Sequence, residues 1–186
     1  MIDLGIYRLS DDVQLPKYGT SLSTCFDLRY CPTNKIVNGY DGDNFAVERY
    51  VGNDKSLWVF PGDRLLVPTG IIMKISTSAS IESFADITTE REELNQFSIR
   101  LHARSGMALK RGLVLANAEG IVDVDYQNEV FILITNISRV TQSIEYQERI
   151  AQAEVVTNKN IRIIKLSDVP SPHSDRSGGF GSTGSS

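Results

Sequence analysis

Residues 112–126 read "GLVLANAEGIVDVDY", a short apolar run, a turn signal at Asn117-Ala118-Glu119-Gly120, and a second apolar run interrupted by carboxylates. Such runs, four to eight residues long and rich in β-branched side chains, are the signature of strands. The pattern recurs outward in both directions. "LWVF" (57–60) precedes Pro61-Gly62-Asp63, and "RLLVPTGIIMKI" (64–75), "QFSIRLHA" (96–103), "EVFILITNIS" (129–138), "RIAQAEVV" (149–156) and "IRIIKL" (161–166) follow the same rule. Several alternate between apolar and polar residues, so the sequence predicts an all-β sandwich or barrel. Helical signal is confined to "ITTEREELNQF" (87–97), where Thr89 and Glu92 have capping-box spacing ahead of Leu94 and Phe97. One short helix is expected there. The Asn-, Asp- and Gly-rich stretch 31–56 reads as loops with room for a hairpin.

At 186 residues the chain suits one substantial core, and its hydrophobic (41%) and charged (23%) fractions are those of a globular protein. A net charge of −4 without any Lys/Arg block argues against stable binding to nucleic-acid backbones. No apolar run reaches membrane-spanning length, and the opening "MIDLGIYRLSDD" lacks the basic-then-apolar pattern of a signal peptide. The expectation is a cytoplasmic protein, or one of the host-cell cytoplasm or nucleus if viral. Cys25 and Cys31 are the only cysteines and His102 and His173 the only histidines. Their spacing matches neither a redox pair nor a zinc knuckle, so they read as reduced thiols and isolated imidazoles, and any metal is expected to be a hard cation held by oxygen.

Chemistry could reside in several places, each with an ordinary alternative. Arg104-Ser105-Gly106 combines a planar guanidinium, a hydroxyl and an approachable backbone, which suits a phosphate; alone it equally describes a solvated turn. In "GIVDVDY", Asp123 and Asp125 fall on one strand face and Tyr126 on the other. Buried carboxylates there would be paired, metal-linked or catalytic; on an edge they would be solvated. "EYQERIAQAEV" offers Arg149 and Gln152, or a charged turn entering a strand. From about Ser167 the chain turns to Pro, Ser and Gly and ends "DRSGGFGSTGSS", a flexible tail by composition apart from Phe180.

Five segments, "STCFDLRY", "ARSGMA", "GIVDVDY", "ERIAQ" and "GGFGSTG", resemble in order the motifs of the dUTPase family, the dUTP nucleotidohydrolases, over Thr24 to Thr183. The resemblance implies a jelly-roll-like β barrel assembled as a homotrimer, hydrolysing dUTP to dUMP and pyrophosphate by Mg2+-assisted attack of water at the α-phosphorus. It thereby implies a role in limiting uracil incorporation into DNA and supplying dUMP. By the same resemblance each site draws on all three chains. Asp123 is the general base and Gln152 helps hold water and nucleotide. Tyr126 packs under the deoxyribose and excludes a 2′-hydroxyl. Asn117 and the hairpin backbone through Gly120, Ile121 and Val122 read uracil. Arg104, Ser105 and Gly106 bind phosphate, and Asp27 meets the metal through water. The C-terminal arm, 171–186, closes over the nucleotide, with Phe180 on uracil and Arg176, Gly181, Ser182 and Thr183 on the phosphates.

The chain departs from the family at Asp175, where the arm's arginine usually stands (Arg176 is one step closer to Phe180), at Ala103 for a proline and at Asn128 for a glycine. Stretches of about 34–56 and 77–96 read as insertions into a 1–170 barrel domain, either surface elaboration or a surface for a protein partner. The competing readings are a dCTP deaminase or bifunctional enzyme, against which Leu133 stands where a catalytic Glu is expected, and a nucleotide-switched regulatory protein.

Overall fold

In chain order the elements are β1 (Ile2–Arg8), β2 (Lys17–Tyr18), β3 (Phe26–Arg29), β4 (Ile36–Tyr40), β5 (Ala46–Tyr50), β6 (Leu57–Val59), β7 (Arg64–Pro68) and β8 (Ile71–Thr77). They continue with β9 (Phe97–Ala103), α1 (Ser105–Arg111), β10 (Leu113–Leu115), β11 (Gly120–Val122), β12 (Phe131–Asn136), β13 (Gln142–Ile144) and β14 (Arg149–Thr157). The computed structural model describes residues 2–77, 96–159 and 161–171. Two five-stranded sheets, ordered β10-β12-β7-β4-β5 and β11-β9-β14-β3-β2, form the body, with β1-β8 and β13-β6 as two-stranded companions. All pairings are antiparallel. The chain is thus all-β and jelly-roll-like, its strands divided between sheets and not joined in one closed ladder.

Alternation along the strands decides what each sheet hides. In β12 Ile132, Ile134 and Asn136 are buried while Phe131, Leu133 and Thr135 are not, and in β7 Leu65 and Val67 face inward around the exposed Leu66. From the other sheet Phe26, Leu28, Ile99, Leu101, Ala151 and Ala153 complete the core. These β-branched, aliphatic and small side chains fit a pleated, two-layer interior.

Two polar side chains inside this core, Asp63 and Asn136, are fully engaged, whereas the buried Tyr30 hydroxyl has no hydrogen-bond partner among the described residues. Asp63 is wholly buried at the β6–β7 turn, where it accepts two bonds from Arg49 (2.8 and 2.7 Å) and one from the Phe60 N–H (2.9 Å). The same guanidinium lies 4.7 Å from the Phe60 ring centroid. Asn136 donates to the carbonyls of Val59 and Val140 and accepts from the N–H and hydroxyl of Ser138. Because Arg49 sits on β5, the pair fastens the β4–β5 hairpin to the body. The stretch 34–56 therefore forms an edge hairpin of the first sheet.

Two expectations differ from the structure. "IRIIKL" makes no ladder with the described residues; Ile161, Ile163 and Leu166 stand exposed on an irregular segment. Among the described residues a helix forms where none is expected, α1 in "SGMALKR", closed by Gly112 in the left-handed conformation (φ 66°). The helix expected near Thr89 falls outside the described residues, as does most of the 77–96 stretch. Among the described residues no helix is long and apolar enough to cross a membrane.

Asp63→Ala leaves the Arg49 charge and the Phe60 N–H without their partner, and is expected to destabilise the fold by about 2 kcal/mol or more. A urea unfolding midpoint equal to that of the parent chain would contradict this.

Candidate functional site

Strand register brings three distant segments into one polar cleft of about 420 Å3. β14 lies between β9 and β3, with Gln152 abreast of Asp27 on one side and of His102 on the other. The cleft opens where these strands meet the start of α1, and its wall includes Ser23, Asp27, Arg104, Ser105, Arg149 and Gln152.

Arg104 occupies the extended residue between β9 and α1 (φ −87°, ψ 127°). Its Nε donates to Asp27 Oδ1 at 2.9 Å and its Nη1 to the Arg149 carbonyl at 3.1 Å. Arg149 Nη1 donates to Asp27 Oδ2 at 3.1 Å. One carboxylate thus holds two guanidinium groups in place, and the cleft keeps a surplus of one positive charge from these three residues. Preorganised arginines of this kind suit an anion. Gln152 Nε2 donates to the Ala103 carbonyl at 3.2 Å, which ties β14 to the end of β9.

No side chain caps the first turn of α1. A Cβ added at Gly106 would meet nothing within 4 Å, so internal packing does not demand glycine there; its effect is to leave the cleft side of the turn open.

A second, less polar cleft of about 380 Å3 gathers Asn117, Gly120, Ile121, Val122, Tyr126 and Leu133. The segment expected to be a hairpin is a corner between sheets, since β10 pairs with β12 and β11 with β9. Ala118 takes a positive φ of 60° to make the turn. Gly120 has a packing reason, because a Cβ there would lie 2.9 Å from Leu101 side-chain atoms. The strand expected to run through Tyr126 stops at Val122, where the Tyr126 N–H bonds back to the Asp123 carbonyl at 3.1 Å and closes a turn. Asp123 and Asp125 are consequently exposed, not buried.

The Tyr126 hydroxyl donates to the Glu129 carbonyl at 2.8 Å. The Glu129 carboxylate accepts from the Gly70 N–H (2.8 Å) and the Thr33 hydroxyl (3.3 Å). Burial pushes the Glu129 carboxyl above its ordinary value.

The two clefts sit toward opposite ends of β9. Val122 pairs with Ile99, which places Asp123 abreast of Ser98, while Arg104 follows the other end at Ala103. Six residues of strand separate them by roughly 20 Å within one chain. The structure therefore brings together Asp27, Arg104, Ser105, Gly106 and Gln152 in one place, and Asn117, Gly120, Ile121, Val122 and Tyr126 in another with Asp123 beside them. Arg176, Phe180, Gly181, Ser182 and Thr183 lie outside the described residues. Arg149, which sequence offers only as part of a charged turn, gains its place through the register of β14 against β3. Glu129 carries no motif in the sequence, and only its contacts to Gly70 and Thr33, distant in sequence, show it as the support of the Tyr126 turn.

The fold and site together define a jelly-roll-like β protein with an arginine-lined cleft at one end of a central strand and a less polar, tyrosine-bearing cleft at the other. The dUTPase family model matches residues 65–184, and the chain belongs to that family. The deoxyuridine 5'-triphosphate nucleotidohydrolase of Chlamydia felis is 32% identical over 158 residues, covering 81% of this chain and 95% of the relative. That of Brucella melitensis is 31% identical over 186 residues, covering 97% and 92%. Among solved structures, a mutant of the Staphylococcus bacteriophage 80alpha dUTPase with dUpNHpp shares the fold at a TM-score of 0.69 and 17% identity, covering 98% of this chain and 99% of that one. The Streptococcus mutans dUTPase gives a TM-score of 0.55 at 22% identity, covering 85% and 98%.

Arg104→Ala removes charge-assisted hydrogen bonds worth about 1.5–3 kcal/mol to a bound anion, so pyrophosphate affinity is expected to fall about tenfold or more. Titration calorimetry giving equal affinities for parent and variant would take the cleft out of phosphate binding.

Proposed function

We propose that the chain hydrolyses dUTP to dUMP and pyrophosphate, in an oligomer whose active sites are shared between copies. The observation that carries the proposal is the separation along β9. A general base must stand within hydrogen-bond reach of the water it activates. Asp123 is too far from Arg104 of its own chain to serve a phosphorus atom held there. A second copy that brings its Asp123 cleft to the first copy's arginine cleft completes one site, and cyclic symmetry repeats it; a homotrimer is the assembly we propose. Exposed apolar side chains at Ile121 (56% exposed), Leu66 (47%) and along 161–169 give such copies surface to bury.

Within that site Arg104, Arg149, Ser105 and the backbone at Gly106 hold the phosphates and stabilise charge developing on the leaving pyrophosphate. The Asp123 carboxylate takes a proton from water and aligns it for attack at the α-phosphorus, with Gln152 orienting the same water. Tyr126, fixed through its hydroxyl to Glu129, covers the sugar and leaves no room for a 2′-hydroxyl. The corner from Asn117 to Val122 reads uracil through backbone groups, and its tightness rejects a 5-methyl group. The arm contributes Phe180 to the base and Arg176, Gly181, Ser182 and Thr183 to the phosphates as it closes.

The residues present fit a magnesium ion held mainly by the substrate. Asp27 is the one carboxylate lining the polar cleft among the described residues, and both its oxygens accept from arginines, which suits contact through water over direct ligation. When bound, Mg2+ neutralises phosphate charge. Against the deaminase reading, Leu133 pairs with Leu66 and lines the apolar cleft, where it offers no acid or base.

The test is a product assay with magnesium on dUTP, dCTP, dTTP and UTP, scoring pyrophosphate, monophosphate and ammonia. Pyrophosphate and dUMP from dUTP alone are expected. Ammonia from dCTP would install the deaminase, and no product from any substrate would install the regulatory reading. Tyr126→Ala is expected to raise the UTP-to-dUTP ratio of kcat/KM about tenfold or more, the loss of a steric gate. An unchanged ratio would remove Tyr126 from sugar selection.

A further inference from the structure

At the edge of the polar cleft, whose wall includes Cys25, three side chains from three segments of the same sheet converge in a way that their sequence spacing hides. Cys25 directly precedes β3, His102 lies on β9 and Glu154 on β14; the Cys25 sulfur, a His102 ring nitrogen and a Glu154 carboxylate oxygen all lie within 4.8 Å of one another. His102 Nε2 is 3.1 Å from Glu154 Oε1, and its other nitrogen, Nδ1, is 3.7 Å from Glu119 Oε1. Glu119 is itself held by Arg100 at 3.2 Å. The three converging residues are all half-buried.

We propose that Cys25, His102 and Glu154 form a site for a borderline divalent transition metal of the zinc class, with Glu119 as the carboxylate that orients His102. Zinc takes thiolate at about 2.3 Å and imidazole or carboxylate near 2.0 Å in a tetrahedron, which sets ligand atoms about 3.3–3.7 Å apart. Small rotations about side-chain torsions bring the present atoms to that spacing, and the fourth position stays open to water. At 3.7 Å Glu119 is just beyond hydrogen-bond distance of the far nitrogen, and a small side-chain rotation would let it fix the ring's tautomer, the usual support of a metal-bound histidine.

The ligand set discriminates between metals. Sulfur and imidazole favour zinc-class ions over magnesium, which prefers oxygen. The site is therefore separate in chemistry from the magnesium that accompanies the nucleotide. Without a cation the Cys25 thiol is pushed up, chiefly by burial and then by the neighbouring Glu154 charge. Binding would convert it to thiolate with release of one proton to solvent. A metal here ties β3, β9 and β14 together two residues from both Asp27 and Gln152, so its role is to fix the strands that carry the polar cleft.

The full-length chain, stripped with chelator, is titrated with ZnCl2 or CoCl2 alone. Because Cys31 is buried and Cys25 half-exposed, reaction of the native protein with a disulfide reagent reads Cys25. Zinc is expected to slow that reaction about tenfold or more, magnesium to leave it unchanged, and cobalt to give a thiolate charge-transfer band. Cys25→Ser is expected to abolish the band, His102→Gln the zinc protection, and Glu119→Gln to weaken zinc about tenfold. Circular dichroism of the metal-free variants verifies their fold. Equal thiol reactivity with and without zinc, or protection that persists in a folded His102→Gln chain, would overturn the site.

Discussion

Strand β9 is paired along both edges, to β11 on one side and β14 on the other, and the remaining functional geometry depends on this. A strand held on both sides behaves as a rigid spacer, so whatever is attached to its two ends stays a fixed distance apart. At one end Arg104 leaves the strand into α1 and meets Asp27 and Arg149. At the other the β11 pairing delivers Asp123 and the Tyr126 turn. A single copy therefore carries two clefts of different chemistry, one lined by arginines and one largely apolar, which the proposed function takes as two half-sites.

The cost of positioning charge is met locally at each end. Asp27 compensates two guanidinium groups that would otherwise repel, and their mutual hydrogen bonds align them before any ligand arrives. The apolar end has the opposite problem, an exposed turn bearing two aspartates, and Glu129 anchors it through Gly70 and Thr33. Away from both, Asp63 and Asn136 use their hydrogen-bonding capacity to join strands that share no ladder, the kind of satisfied polar network that favours one arrangement of a core over its alternatives.

Much of this could be read from the residues, because period-two alternation in segments such as 129–136 and 149–156 leaves little choice of element or face. The order of five short motifs named the family. Geometry within motifs was less legible. "RSGMALKR" holds a helix whose signal is weak, with no capping side chain and only Met107 buried. "GIVDVDY" alternates like a strand beyond Val122, yet the turn at Asp123 ends it and turns both aspartates to solvent. "IRIIKL" has strand composition but pairs with no strand among the described residues. Cys25, His102 and Glu154 are separated by 77 and 52 positions, so only the register of β3, β14 and β9 discloses that they meet.

Sharing of the site between copies is tested most directly by mixing two disabled chains. Asp123→Asn and Arg104→Ala each remove one half-site and are expected to be nearly inactive alone on dUTP. When the two are unfolded together and reassembled, a site built from the intact half of each chain forms in about a quarter of positions for random mixing. Recovery of activity toward that fraction is the result the shared site requires. Co-assembled chains that remain as inactive as either variant alone would show that both residues must act from one chain, and would contradict the account.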